Sequence, residues 1–481
     1  MNSRRREVAP CPTKGGQMSA RDTLPASLTP TGTISRTSDR RRVAVATVVG
    51  TAVEWYDFFI YAQAAGLVFA TLFFGPLNED FPGLAQIISF VTVGISFLFR
   101  PLGAFLAGHF GDRIGRRPML VLTLILMGAA TTLVGVLPTY AQIGVLAPIL
   151  LILLRVLQGI SAGGEWGGAV LMAVEHAPKQ RRGLFGAFPQ IGVPIGLLLA
   201  SAMMAVMAVI APGDAFLEWG WRVPFLFSVV LIVVGYWVRR SVEESPVFEE
   251  IAERKEQVKA PAVRLFARYT PLVVLAALVF AGNNAVGYMT TGGYIQGYAT
   301  SPDGPLALER GPVLWAVAAS SVSWLLATFA AGWVSDRIGR RGTYLIGWAV
   351  QAVFVLTLFP LVNTGDVLLL GLGLVLLTLG LGFTYGAQSS WYAELFPASV
   401  RFSGVSIAYA IGSIAGGAFA PTIAQWIQQT TGSTTSITWY LLGMTVLGLV
   451  GTLALRDRRG IDLRPSNEAE QERGIYAWDR G

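Results

Sequence analysis

The chain has 481 residues, of which 53% are hydrophobic and only 14% charged, with a mean hydropathy of +0.55. Soluble domains are nearer one quarter charged, and here the apolar residues fall in runs of about 20 or more, long enough to cross a bilayer. The formal charge of +7 is scattered in short basic segments between those runs, a pattern of membrane topology and not of nucleic-acid binding.

The first 42 residues carry nine Lys/Arg against three acids, with many Ser, Thr, Pro and Gly. They read as a disordered cytoplasmic tail, 1–42. The single cysteine, Cys11, lies there, so neither a disulfide nor a thiolate metal site is expected.

Twelve spans follow, at 43–70, 84–107, 118–138, 145–175, 183–210 and 221–239, then 271–299, 311–334, 343–362, 367–394, 403–428 and 437–455. In a bilayer such runs must be helical, because every backbone polar group needs an internal partner. The predicted fold is an all-α membrane protein with two six-helix bundles, 43–239 and 271–455. A linker, 240–270, joins them, and a short tail, 456–481, follows. Ser245-Pro246 predicts the start of an interfacial helix in the linker.

Arg113, Arg116 and Arg117 lie between spans 2 and 3, Lys179, Arg181 and Arg182 between spans 4 and 5, and Arg337, Arg340 and Arg341 between spans 8 and 9. The alternate loops 71–83, 138–144 and 429–436 have no Lys or Arg. Short basic loops stay in the cytoplasm, so both termini are expected inside a multi-pass protein of the cell membrane.

The halves repeat. Gly111-Asp112-Arg113-Ile114-Gly115-Arg116-Arg117 returns as Ser335-Asp336-Arg337-Ile338-Gly339-Arg340-Arg341. Glu175, Pro178 and Arg182 return at the same offsets as Glu394, Pro397 and Arg401. Two independent repeats in register imply duplicated halves around a central cavity. They also bring opposite charges to one end of the molecule, which predicts a gate of Asp112, Arg113 and Arg116 with Glu175 and Arg182, mirrored by Asp336, Arg337, Glu394 and Arg401.

Gly108, Asp112, Arg113, Gly115, Arg116 and Arg117 form G-x-x-x-D-R-x-G-R-R, which resembles the signature of the major facilitator superfamily. Val53-Glu54-Trp55-Tyr56-Asp57-Phe58-Phe59 opens span 1, and Arg155-Val-Leu-Gln158-Gly159 with Gly163-Gly164-Glu165-Trp166-Gly167-Gly168 fills span 4. Trp219-Gly220-Trp221-Arg222-Val223-Pro224-Phe225 opens span 6. These stretches resemble the metabolite:proton symporters, among them shikimate, α-ketoglutarate, citrate and proline/betaine carriers. The resemblance covers about residues 43–456. It implies proton-coupled uptake of a small carboxylate-bearing metabolite, with an organic acid first and an osmolyte such as proline or betaine second. An efflux antiporter is a weaker alternative. A monomer in a lipid bilayer is expected, with no nucleic-acid partner.

Charges inside a bilayer are costly and mark function. Glu54 and Asp57 sit about 4.5 Å apart along one helix, where two carboxylates cannot both ionise cheaply without a cation. Arg155, at a similar depth in span 4, is the expected partner of Asp57. Proton-coupled sugar symporters of the superfamily pair an aspartate of span 1 with an arginine of span 4, and Asp57 and Arg155 match that pattern. Glu165 is a further candidate relay. Arg100, about 12 Å inside span 2, has the planar fork that suits a carboxylate. Tyr56, Tyr61, Gln158, Gln190, Asn283, Asn284, Tyr288, Tyr385 and Gln388 are expected to complete a polar, aromatic pocket.

Gly159-Ile-Ser161-Ala-Gly163 fits the nucleophile-elbow pattern, but it lies within an apolar helix, and the pattern requires a preceding strand and a histidine base. No Walker A, dinucleotide or H-E-x-x-H motif occurs. No enzyme activity, cofactor or metal is expected.

Overall fold

The computed structural model describes residues 37–114, 116–163, 165–240, 261–291, 293–302 and 304–479. Within helices, the side chains of 37–44, 107–120 and a few single positions lie outside that description. The regular structure of the described residues is helical, apart from one isolated bridge between Leu455 and Tyr476.

Twelve spanning segments follow in chain order. α1 runs from Thr37–Ala64 through a π-helical stretch, Ala65–Phe69, and is followed by α2 (Leu84–Ile114), α3 (Arg116–Val136) and α4, which is broken into Leu146–Ser161 and Glu165–Glu175. α5 (Arg182–Ile210) and α6 (Arg222–Arg240) complete the first half. In the second half, α7 is broken into Pro261–Thr291 and Tyr294–Thr300, and is followed by α8 (Arg310–Ile338), α9 (Arg340–Val362) and α10, broken into Val367–Gly386 and Gln388–Leu395. α11 runs through Arg401–Gly412, a π-helical stretch Ser413–Ala418, and Ala420–Thr431; α12 is Thr434–Ala454. Ten segments are long and apolar enough to cross a membrane over their described residues, and α3 contributes a shorter apolar run, Val121–Val136. Large apolar side chains such as Phe105, Leu133, Val233, Leu326 and Leu368 point outward, as a surface solvated by hydrocarbon requires.

Two boundaries differ from the sequence reading. α1 starts at Thr37, so the last residues of the expected tail are helical. α7 starts at Pro261 and kinks at Tyr269 (φ −121°, ψ 19°), just before Pro271. Proline disfavours continuing the helix through the turn before it, which makes Pro271 look like a start. The interfacial helix expected after Ser245 lies outside the described residues.

The duplication is visible in the backbone. α4 and α10 each break near the same point and end in a short helix carrying Glu175 or Glu394. Pro178 (φ −56°, ψ 141°) and Pro397 (φ −59°, ψ 151°) then turn the chain, a single 3₁₀ turn follows, and Arg182 or Arg401 opens the next helix. The spacing of Glu, Pro and Arg therefore encodes a corner that sets an acid and a base at the same end of each half, where they pair with the base and acid of the other half. Between α8 and α9, Gly339 has φ +93°, a conformation that costs a side-chain-bearing residue about 1 kcal/mol or more. That glycine lets Arg340 fold back under the end of α8.

The two halves touch at both ends. At the end that carries the basic loops, the N–H groups of Gly183 and Leu184 donate to the Asp336 carboxylate at 2.7 and 2.9 Å. At the far end, α1 crosses α7 so closely that a methyl group on Gly66 would overlap the Gly293 carbonyl oxygen, and Gln429 Nε2 donates to Gly83 O at 2.8 Å. The conformation is occluded.

Candidate functional site

Between the halves lies a narrow cavity of about 20 Å³. Trp55 and Phe59 of α1 and Val193 of α5 face it from one half. Asn283, Asn284 and Tyr288 of α7, Trp324 of α8, Tyr385 of α10 and Tyr409 of α11 face it from the other. The composition matches a small-molecule site: mostly aromatic walls with a few convergent polar groups.

Arg100 stands beside this cavity. Its guanidinium carbon lies 4.5 Å from the Phe97 ring centroid, 5.4 Å from Trp55 and 5.7 Å from Phe58, and the residue is buried. The Tyr288 and Tyr409 hydroxyls lie within its electrostatic reach. No described carboxylate lies within ion-pair distance of it, and its Nε has no hydrogen-bond partner. The Tyr288 hydroxyl and Trp324 Nε1 are likewise buried without a partner, while the Tyr409 hydroxyl has Tyr385 within hydrogen-bonding reach. Each such group costs about 1–3 kcal/mol when left unsatisfied, so their convergence on one cavity is what a polar ligand would relieve.

A second polar group lies inside the first half. Ser228 Oγ of α6 donates to Asp57 Oδ1 at 2.6 Å, and Thr131 of α3 is within hydrogen-bonding reach of the same carboxylate. Gln158 Nε2 donates to Thr131 Oγ1 at 2.8 Å, and Arg155 Nη1 donates to Gln158 Oε1 at 2.9 Å. Arg155 Nη2 donates to Val93 O at 3.3 Å, while its guanidinium covers Tyr61 at 4.1 Å and Phe58 at 4.7 Å. The expected direct pair of Asp57 and Arg155 is therefore not formed; Thr131 and Gln158 stand between them. Glu54 and Asp57 remain within electrostatic reach of each other, but their nearest neighbours differ. Glu54 is buried within electrostatic reach of Tyr385 and Tyr409 by the cavity, whereas Asp57 looks toward α3 and α6. Three residues turn a helix by about 300°, and in a crowded interior the remaining 60° is enough to assign neighbours to different compartments.

The other expected pocket residues divide. Asn283, Asn284, Tyr288 and Tyr385 line the cavity. Tyr56 donates to Pro224 O at 2.8 Å and so fastens α1 to α6. Tyr61 and Gln158 belong to the Arg155 group. Gln190 accepts from Trp166 Nε1 at 3.0 Å and donates to Tyr385 O at 3.2 Å, with Gln388 beside it. It ties the halves together instead of facing the cavity. Trp166 stacks on Tyr409 across the same boundary, centroids 3.7 Å apart. The Glu165 side chain lies outside the described residues.

At the basic end, Arg340 is the hub. Fully buried, it donates to Glu394 at 3.0 and 3.3 Å, to Asp336 at 2.7 Å and to Ser335 at 2.8 Å. Arg182 reaches Glu394 at 3.7 Å and Arg401 reaches Glu175 at 3.4 Å, each pair joining one half to the other. Arg337 instead lies over Trp333, 3.3 Å from its ring centroid, and is exposed, so of the two arginines the second, Arg340, makes the ion pairs at this end. Its place in the repeat, opposite Arg116, was the available signal. The side chains of Asp112, Arg113 and Arg116 lie outside the description. Ser228, Thr131, Trp166 and Tyr409 were not anticipated, since single hydroxyls and aromatics in apolar helices carry no local mark.

The family model of the major facilitator superfamily matches residues 58–421 and 311–478. The inner membrane metabolite transport protein YhjE of Escherichia coli (strain K12) is 40% identical over 424 residues, 88% of this chain and 95% of that protein. The shikimate transporter of the same organism is 34% identical over 433 residues, 89% and 96% of the two chains. Among solved structures, the proton:xylose symporter XylE superposes with a TM-score of 0.69 at 17% identity, covering 90% of this chain and 98% of its own. With twelve spans in two duplicated halves, a cavity between them and contacts between the halves at both ends, the chain belongs to the major facilitator superfamily and is a multi-pass membrane transporter, not an enzyme.

Proposed function

We propose that this transporter takes up a small carboxylate-bearing metabolite together with a proton, by alternating access to the cavity between its halves. The observation that carries the reading is Arg100, buried beside the cavity with an unpartnered Nε and no described acid in contact. A guanidinium grips a carboxylate with two parallel hydrogen bonds, and the aromatic rings around it suit a compact ring or chain. The similarity to a shikimate transporter favours an organic acid. The basic loops support a reading in which their end and both termini face the cytoplasm and the protein works as a monomer in the cell membrane.

Proton coupling follows from charge. Each carboxylate that enters adds one negative charge to a poorly solvated cavity that already holds Glu54. One proton on a buried acid is the least costly compensation. Asp57 is the acid of choice. Its hydrogen-bonded line through Thr131 and Gln158 ends on Arg155, whose field changes when substrate arrives. The similarity of the fold to a proton-coupled sugar carrier fits this arrangement.

Binding to purified protein across a set of acids and their amides tests the reading. Wild type should prefer each acid over its amide. Arg100→Ala should weaken acid binding by about 3–5 kcal/mol, the usual result of leaving one half of a buried pair alone. Arg100→Lys should also fail, since an ammonium cannot reproduce the fork. Equal affinity of wild type for acid and amide, or full acid affinity in Arg100→Ala, refutes it.

A further inference from the structure

Residues 456–479, which follow the last span, fold back across the basic-end gate. Three internal anchors shape the segment. Arg458, buried, donates to Gln471 O at 2.6 Å and to the carbonyls of Glu470 and Arg473 at 3.0 Å. Gln471, also buried, receives the N–H of Ala398 at 2.8 Å and Arg401 Nη2 at 2.9 Å, while its own amide donates to Asp462 O at 2.6 Å and Arg464 O at 2.9 Å. The Arg456 N–H donates to Ile475 O at 3.0 Å and the Ala477 N–H to Ala454 O at 2.8 Å, closing the loop on the end of α12. Burial holds the Arg458 guanidinium below its usual pKa, at about 10, with Glu470 the first of the groups opposing that, so it remains charged near neutrality.

The segment's contacts with the two halves are unequal. Toward the second half they are many: Trp391 Nε1 donates to Arg456 O at 3.1 Å, Arg401 Nη1 to Leu463 O at 2.9 Å, and Arg268 pairs with Glu472 at 2.9 Å. The Gly460 N–H reaches Glu394 Oε1 at 3.4 Å, and Arg459 caps the carbonyls of Asp336 and Arg337. Toward the first half the described contacts are two. Arg182 Nη1 donates to Ile461 O at 2.6 Å, and Lys179 Nζ meets Asp462 Oδ2 at 3.3 Å. Arg464, hydrogen-bonded to Asp462, holds that carboxyl well below the usual carboxylate range, so the Lys179 bridge stays ionised at neutral pH.

We propose that segment 456–479 is a strap that biases the transporter toward the state closed at its basic end, riding on the second half and gripping the first through Arg182 and Lys179. Opening that end separates α5 from α8, and the strap's two grips must break with the direct gate bonds. A bond that exists in only one of two states shifts their ratio by its own free energy. The strap thus sets how often the gate opens, and anything that undocks it speeds opening. This rests on the alternating-access reading but on neither the substrate nor the proton.

The experiment needs no substrate. In full-length Cys11→Ser protein, Gln180→Cys and Ile338→Cys, both exposed, carry spin labels on either side of the gate. Two variants loosen the strap from opposite ends. Lys179→Glu, on the exposed surface, repels Asp462; Gln471→Leu removes the strap's central amide without emptying its volume. Each should raise the wide-separation population at least about threefold. A rise in either variant supports the strap. Distance distributions unchanged or shortened in both overturn it, and that outcome leaves the carboxylate and proton assignments standing, since those are read by binding and uptake.

Discussion

Asp57 is held by a serine from one neighbouring helix and approached by a threonine from another, and neither hydroxyl can replace a cation. A carboxylate in such a place keeps a low-cost neutral form available, as a proton carrier requires. Asp57→Asn is isosteric and keeps a group that can accept from Ser228. It should therefore leave the protein folded, abolish accumulation driven by a proton gradient, and spare substrate exchange, which moves no net proton. Uptake and counterflow in proteoliposomes separate the two. Gradient-driven accumulation in Asp57→Asn refutes the assignment, and loss of folded protein assigns Asp57 to structure alone. The sequence marked Asp57 and Arg155 because charged residues stand out in apolar helices. It could not mark Thr131 or Ser228, nor place Gln158, expected in the pocket, between Asp57 and Arg155, because which face each helix turns toward its neighbours depends on packing that no single helix encodes. The same limit explains Arg340. Arg337 and Arg340 are both basic members of the repeat, and only the turn at Gly339 decides which one is folded under the helix end.

Several of the elements that touch across the cavity have interrupted geometry. α1 carries a π-helical stretch and α7 a break where they meet near Gly66 and Gly293. α4 and α10 break at matching points. Interruptions inside a membrane are tolerated where protein covers them, and they let a helix end move without the rest. The Gly66–Gly293 contact therefore closes the far end only because neither residue has a side chain. Gly66→Val adds bulk in a helical conformation without demanding a positive φ, so it tests packing alone. Overpacking costs about 1–3 kcal/mol, which should reduce the occluded population about five- to hundredfold. Uptake should fall accordingly while substrate still binds from the far side. Normal transport by Gly66→Val would show that the two helices need not approach so closely. Span positions were legible from apolar run lengths, and the corners from the repeated Glu, Pro and Arg. The strap was not legible: its residues are mostly polar, without helical or strand periodicity, and its order comes from carbonyls capped by Arg458 and Gln471 together with the isolated buried side chains of Leu463 and Ile475.

For the molecule as a whole, the two halves, two gates and intervening cavity make net charge movement the decisive quantity. If the cavity accepts one carboxylate and Asp57 accepts one proton, a monoanionic acid crosses with no net charge. Its uptake should then respond to the pH difference alone. One unit, alkaline inside, supplies about 1.4 kcal/mol and should accumulate the acid about tenfold. An imposed potential of 100 mV, negative inside, should add nothing. A zwitterion such as betaine carried with a proton would behave oppositely, because the complex moves one positive charge. The same potential would then supply about 2.3 kcal/mol, enough for roughly fiftyfold accumulation. Proteoliposomes with separately clamped pH and potential give the answer directly, with alkalinisation of the medium reporting proton entry. Accumulation of an organic acid that follows potential and ignores pH would contradict one-for-one charge compensation between Arg100 and Asp57. Acidification of the medium during uptake would contradict symport itself.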